Sequence, residues 1–308
     1  MLHQTYRNWE YVLVNNCSND GSSEIAEDYV ARFPGKIRLI HTKSFLSQVQ
    51  NYNFALTQVS LESKYCKMVQ ADDRIYPSCL KSMVAVAESD PSIGIVSSYR
   101  LRGDRIAGDG LPSTRTVIPG PEVCRLQLSG SLFTFGSPTT VLYRSEIVRS
   151  TSPFYDESTL HEDTDACYRI LQTWNFGFVH EVLSFNRFDN ESISSRVRDF
   201  SPELLDRLLQ LRKFGPRCIE RQALACLIED RERDYYDFLA RRLLGGADRD
   251  FWRYHVSGLK SGGQRLESMR LLKHVCLVLL RLLAHPVAAS VRLYSRFRRP
   301  VRADRPVE

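Results

Sequence analysis

Residues 65–77 read YCKMVQADDRIYP. A largely apolar run, Cys66 to Val69, leads into two adjacent aspartates, Asp72 and Asp73, and a turn then delivers the chain to Pro77. Proline suits the first turn of a helix. Strand, acidic turn and helix in that order are the mark of an α/β sheet, whose ligands gather at the carboxyl ends of strands. Neighbouring carboxylates repel each other. They are either solvated in a loop or share a hard divalent cation, which typically also takes phosphate oxygens.

The same alternation extends to both sides. EYVLVNN (10–16) predicts a strand that stops at a polar turn, and SEIAEDYVARF (23–33) a helix with Ile25, Tyr29, Val30 and Phe33 on one side. KIRLIHT (36–42) predicts a strand, QVQNYNFALTQV (48–59) a helix, 65–71 a strand, SCLKSMVAVAE (78–88) a helix and IGIVSSY (93–99) a strand. Together they predict an α/β domain with a mostly parallel sheet. Further on, 102–122 is rich in Gly, Pro and Arg and reads as a loop, TTVLYR (139–144) as a strand, HEDTDACYRILQTW (161–174) as a helix and FGFVHEVLSFNRF (176–188) as one or two strands. Composition changes near residue 200, which divides the chain into residues 1–200 and a helical C-terminal extension, 201–308, with a basic tail. Its helices are expected over 201–216, capped by Ser201 and stopped at Gly215-Pro216, over 217–246, and from 265 to 284.

Composition narrows the function classes. The 308 residues are 43% hydrophobic and 25% charged, as in ordinary globular proteins. A net charge of +6 and a pI near 8.9 fit an anionic partner such as a nucleotide, a phosphate or an anionic lipid surface, without calling for nucleic acid. The eight cysteines form no CxxC pair and most sit inside apolar segments, which reads as reduced, buried thiols in a cytosolic protein rather than a disulfide frame or zinc site. No signal-peptide pattern opens the chain. The longest apolar run, 275–284, is broken by Arg281 and falls short of the roughly 20 residues of a spanning helix.

Two more segments carry chemistry. In LVNNCSNDGSS (13–23) a turn is expected on composition alone, and the Asn16 amide, with donor and acceptor, suits the edge of a nucleobase. In LHEDTD (160–165), Glu162 and Asp163 favour a helix N-terminus, and a carboxylate there also suits a general base toward a hydroxyl. HExxH is absent and His161 has no partner histidine nearby, so zinc is not indicated.

Taken in order, NNCSNDGS, NYNFAL, QADD, FGSPTTVLYR and HEDTDACYRIL resemble the family 2 glycosyltransferases with the GT-A fold. The family's usual QTYxNWExIxVDDGSTDGS is close to QTYRNWEYVLVNNCSNDGS (4–22), and the resemblance covers about residues 4–195. It implies a Rossmann-like mixed sheet flanked by helices. It also implies inverting transfer of a sugar from a nucleotide-diphosphate donor, UDP-sugar favoured, to an acceptor hydroxyl, assisted by Mg2+ or Mn2+. By position, Asn16 stands at the base-contacting Asp, Asn53 at the Asn of the helix before the metal motif, Asp72 at the ribose or metal-side carboxylate and Asp73 at the metal ligand. Gln70 stands where many members have the first Asp of DADD. Asp163 matches the catalytic base, with Glu162 beside it. QTWNF departs from the QxxRW of processive synthases, which favours single-sugar transfer in surface polysaccharide or glycolipid assembly, with a lipid-linked acceptor. The family begins with a further strand and a PxYN-like segment ahead of QTY, in the middle of its sheet, whereas Met1 stands just ahead of Gln4. The resemblance therefore implies either a true start upstream of Met1 or a form with unpaired backbone groups inside the sheet and an incomplete nucleobase pocket. A second reading is a catalytically decayed relative that binds sugar nucleotides or a membrane surface. Asn15-Asn16 and the short start favour it, and Asp72, Asp73 and Asp163 oppose it.

The last helix leaves two readings open. Leu271, Leu272, Val275, Leu277, Val278, Leu279, Leu280, Leu282 and Leu283 are interrupted by Arg270, Lys273, His274 and Arg281, and arginines 292, 296, 298, 299, 302 and 305 follow. This is either a core helix with a solvated tail, or an interfacial helix whose basic residues meet anionic lipid at the cytoplasmic face of the inner membrane.

Overall fold

The computed structural model describes residues 1–159, 161–187 and 200–284. They fall into two compact units that divide between Ile228 and Glu229.

The first unit opens with β1 (Tyr11–Asn15), α1 (Ser22–Arg32) and β2 (Ile37–His41). β1 and β2 pair in parallel, Tyr11 with Ile37 through Asn15 with His41, as a two-stranded sheet of their own. α2 (Gln48–Thr57) follows, opened by a capping box in which Ser47 and Gln50 satisfy each other's backbone N–H. β3 (Tyr65–Cys66), β4 (Arg74–Ile75) and α3 (Cys79–Ser89) lead to β5 (Ile93–Arg102). After them come β6 (Arg105–Ala107), β7 (Val117–Ile118), α4 (Gly120–Ser129), β8 (Leu142–Arg144), α5 (Ser145–Arg149), α6 (Glu162–Ile170) and β9 (Asn175–Asn186). The larger sheet runs β3-β8-β5-β9-β4, with β6 on β5 and β7 on β9. Its centre is the parallel pair β5 and β9. The first six residues of β5, IGIVSS, are all buried, as expected of a strand covered on both faces. One core cluster gathers Tyr143, Tyr155, Tyr168, Phe176 and Phe178; a second, under α3, gathers Cys79, Met83, Ile93, Val96 and Leu183. α7 (Pro202–Cys218) adds Leu211 and Phe214 to the first.

The sheet differs from the mostly parallel one that alternation predicts. β1–β2 and β5–β9 are parallel, whereas β3–β8, β4–β9, β5–β6, β5–β8 and β7–β9 are antiparallel. The strand expected over 65–71 joins the ladder only at Tyr65–Cys66. Beyond it the chain is held by side chains instead: Lys67 Nζ donates to the carbonyls of Thr139 and Val141, and the Gln70 N–H donates to Thr139 Oγ1. Among the described residues neither the second edge of β1 nor that of β3 carries a strand. A cleft of about 270 Å³ lies here, lined by Met1, Tyr11 and residues of the 69–75 segment. Gln4 ties the chain start to α3: its Nε2 donates to the Tyr76 carbonyl, and its Oε1 accepts the Leu80 N–H, an orphan donor of the first helical turn.

Other local expectations change too. The loop over 102–122 contains β6, β7 and the start of α4. Ser201 precedes α7 with φ 51 and makes no side-chain cap, and α7 continues through Pro216 to Cys218. A proline so close to the end removes one helical hydrogen bond and no more. Gly215 packs closely on Leu224, whose side-chain end would have to shift to admit a Cβ.

The second unit holds most of α8 (Arg221–Leu244), α9 (Arg249–Ser261) and α10 (Ser268–Ala284) around Tyr235, Leu239, Phe251 and His255. α9 was not expected from the sequence; Asp248 caps it by accepting the Phe251 N–H. The composition shift near residue 200 thus lies ahead of this division, and α7 groups with the first unit.

Gly120 opens α4 where a Cβ would overlap the carbonyl oxygens of Leu171 and Trp174. By helix propensity alone, Gly120→Ala would stabilise by up to about 1 kcal/mol. The backbone clash reverses the sign, and a loss of roughly 1–3 kcal/mol is expected in urea denaturation. A variant as stable as the parent would show that this close approach does not exist.

Candidate active site

A two-residue antiparallel bridge places the acidic turn. Arg74 pairs with Phe185 and Ile75 with Ser184, so Asp73, just before β4, stands opposite Asn186 at the end of β9. Asn186 Nδ2 donates to Asp73 Oδ2 at 2.5 Å, and the Arg187 N–H donates to Oδ1 at 3.0 Å. Asn186 also reaches Ser137 Oγ at 3.3 Å, while its own Oδ1 is buried with no hydrogen-bond partner. Asp72 occupies the exposed turn beside it.

Arg100 lies on β5, in register with Ser184. Its Nη1 is buried and has no hydrogen-bond partner. Burial and the neighbouring Arg102 lower its pKa, and the charges of Asp163 and Asp73 oppose them. A buried guanidinium with an unused donor, in the field of two carboxylates, is set up for an anionic ligand.

The second acidic group opens α6. Asp163 Oδ1 accepts from the Thr164 N–H at 2.6 Å and from Thr164 Oγ1 at 3.2 Å. Burial, with the Asp163 charge adding to it, pushes the Glu162 carboxyl up to about 7. Asp206 on α7 is likewise pushed up to about 7, by burial first; Asp163 and Asp165 reinforce the shift and His161 opposes it. Asp165 pairs with Lys213. The FGSP segment packs against the start of α6: Gly136, at φ 121, leaves only 3.0 Å between a would-be Cβ and Thr164 Oγ1. Tyr52 on α2 links the two acidic groups. Its hydroxyl is 2.5 Å from Gln70 Nε2, and burial, then Glu162 and Asp163 among the charges, raise its pKa.

The structure thus gathers Asp73, Glu162 and Asp163, with Asp72 adjoining, and adds Arg100, Asn186 and Tyr52, which sequence reasoning missed. An arginine near the end of an otherwise buried strand was the available signal for Arg100. The two asparagines behave differently. Asn16 Nδ2 donates to the Leu46 carbonyl and its Oδ1 accepts the Leu46 N–H, both at 2.9 Å. Asn53 does the same to Tyr155, at 2.9 and 2.8 Å. Each amide closes on the backbone of one distant residue, as a strand neighbour would. Asn16 also accepts from Thr42 Oγ1, which leaves its amide engaged on both ends.

Among the described residues no three His, Cys, Asp or Glu side chains converge on a metal position. Asp72 and Asp73 offer hard oxygen donors from one turn. That set fits a cation that completes its shell with water and ligand phosphates rather than one caged by protein alone.

Residues 1–151 match the model of the family described as Glycosyl transferase family 2. EpsE of Bacillus subtilis (strain 168), named as a glycosyltransferase, is 26% identical over 211 residues, which cover 65% of this chain and 70% of EpsE. The uncharacterized glycosyltransferase YibD of Escherichia coli (strain K12) is 29% identical over 162 residues, 50% of this chain and 45% of YibD. Among solved structures, the mannosyltransferase PcManGT from Pyrobaculum calidifontis, in complex with GDP-Man and Mn2+, superposes with a TM-score of 0.51 at 12% identity, over 89% of this chain and 80% of that one. At that identity the likeness speaks for the fold.

The raised carboxyls give a pH dependence. Glu162 and Asp206 titrate near 7 when folded, against ordinary values of 4.5 and 3.8. The folded protein therefore holds more protons than the unfolded chain across that window, and stability falls as pH rises through it. Glu162→Gln removes one of the two contributions. It should match the parent near pH 4 and exceed it near pH 8 by on the order of 1–3 kcal/mol in urea denaturation. Parallel stability curves for the two proteins would contradict the buried placement of Glu162.

Proposed function

We propose that this chain, a family 2 glycosyltransferase of GT-A fold, moves one sugar at a time from a nucleotide-diphosphate donor to an acceptor hydroxyl with inversion. The observation that carries the reading is a buried pair of polar atoms without a partner in the protein, Arg100 Nη1 and Asn186 Oδ1, the second on the side chain that holds Asp73, with the charges of Asp73 and Asp163 both felt at Arg100. Asp73, oriented by Asn186 and the Arg187 N–H, holds a divalent cation together with Asp72. The cation, Mg2+ or Mn2+, offsets charge that develops on the departing diphosphate. Arg100 offers Nη1 to the same oxygens. Asp163 takes the proton of the acceptor hydroxyl as that oxygen attacks the anomeric carbon from the face opposite the diphosphate. Glu162, whose carboxyl titrates near neutrality, donates a hydrogen bond to the acceptor in its protonated form. Asn16 and Asn53 serve the donor site indirectly, by fixing the segments around Leu46 and Tyr155 that wall it. A UDP-sugar is the first donor to test, and a lipid-linked acceptor in surface polysaccharide or glycolipid assembly is the setting we favour.

A second reading, a binding protein without turnover, draws on the engaged amide of Asn16 and on the division of the sheet between β1 and β3. Binding and turnover separate the two. Because protein supplies few metal ligands, Mn2+ alone should bind weakly, and UDP should tighten it by about tenfold or more. Asp73→Ala should remove that coupling with the fold intact by circular dichroism, and Arg100→Ala should weaken UDP more than uridine. Water-proton relaxation and calorimetry measure both. Tight Mn2+ binding without nucleotide would contradict the shared-cation arrangement.

Turnover of UDP-sugars should stop in EDTA. Asp163→Asn should lower kcat by ~10²–10⁴-fold with donor affinity little changed, the scale for loss of a general base. An undiminished rate would move the role to Glu162, and donor binding without any turnover in the parent would favour the binding protein.

A further inference from the structure

The second unit carries a helix whose polarity is turned inside out. On α10, Arg270 pairs with Glu232, and His274 and Arg281 both pair with Asp237, so three of its four basic residues are engaged by α8. His274 and Val278 are its buried residues. The leucines face outward. Met269 is 78% exposed, Leu272 55%, Leu279 42%, Leu280 61% and Leu283 77%, with Cys276 also exposed between them. Spacings of three and four residues put these side chains on one stripe. A continuous apolar stripe in water marks an interaction site.

We infer that α10 docks this protein on an anionic membrane surface, with the leucine stripe in the headgroup region. Charge selects the occupant. Residues 265–308 hold ten Lys and Arg against three Asp and Glu, whereas residues 1–264 hold 32 against 33. The whole positive excess of the chain therefore falls in the same C-terminal stretch of sequence as the apolar stripe. A second copy would bring the same excess against it, whereas an anionic leaflet attracts it. Of this basic stretch, residues 285–308 lie outside the described residues, and only their composition enters. No helix among the described residues is long and apolar enough to cross a membrane. A helix of 17 residues with four basic side chains lies in an interface rather than across it. The inward ion pairs hold the helix with its stripe outward before any lipid is met, so little ordering remains for the docking step.

The test is co-sedimentation of the full chain with vesicles of phosphatidylcholine alone and of phosphatidylcholine with phosphatidylglycerol. Binding is expected to the anionic vesicles, at least about tenfold above the neutral ones, and it should weaken as salt approaches ~0.5 M. The triple variant Leu272→Ser, Leu279→Ser, Leu283→Ser changes exposed residues, so its melting should match the parent while its vesicle affinity falls by about tenfold or more. If that variant misfolds, Lys273→Glu in the exposed flank serves instead, with a smaller loss on anionic vesicles. Equal binding to both vesicle types, binding to neither, or full binding by the variants would overturn the inference. So would sedimentation of the parent as a dimer that the triple variant dissolves, or capture by an acidic peptide in preference to lipid.

Discussion

The site depends on the pairing of Arg74 and Ile75 with Phe185 and Ser184. Two residues of ladder are little structure by themselves. Their position is what counts, since β9 is the long central strand and its carboxyl end lies beside that of β5. Pinning the acidic turn to that end sets Asp73 against Asn186 and within the field of Arg100. The strand ends where ligands of α/β sheets collect receive the acidic turn here through an antiparallel connection in a mixed sheet. Without it the acidic turn would be a solvated loop, the plainer reading of two adjacent aspartates.

Elements that declare themselves within a few residues were legible in the sequence. β1, α1, β2, α2, α3 and β5 lie close to where apolar periodicity and turn residues place them. Asp73 and Asp163 were legible for the same reason, as carboxylates next to recognisable strand and helix starts. What failed was decided elsewhere in the chain. The stretch 67–70 looks like strand but spends its polar groups on Thr139 and Val141. α9, between two glycine pairs, is secured by an aspartate cap and by burial of Phe251 and His255. Arg100, Asn186 and Tyr52 acquire their meaning from strand register and from contacts that no local pattern encodes.

The asparagines show how residue type and role can separate. Asn16 and Asn53 each present an amide, the group suited to reading a nucleobase, and each uses it to imitate a neighbouring strand toward a single backbone residue. A carboxylate at either position would keep the acceptor and lose the donor, which would leave the Leu46 or Tyr155 carbonyl facing a negative charge. In the second unit the corresponding surprise is α10, where Arg270, His274 and Arg281 are spent on Glu232 and Asp237.

The contacts that build the site are distant in sequence: 102 residues separate Asn53 from Tyr155, 113 separate Asp73 from Asn186, and 72 separate Lys67 from Thr139. Each closes a long loop before it returns any stabilisation, which slows its formation during folding. The helices, built from contacts within a few residues, close no such loop. The candidate site is thus complete only when the chain is closed from its first strands to β9, and a ligand that binds there would report the integrity of the whole first unit.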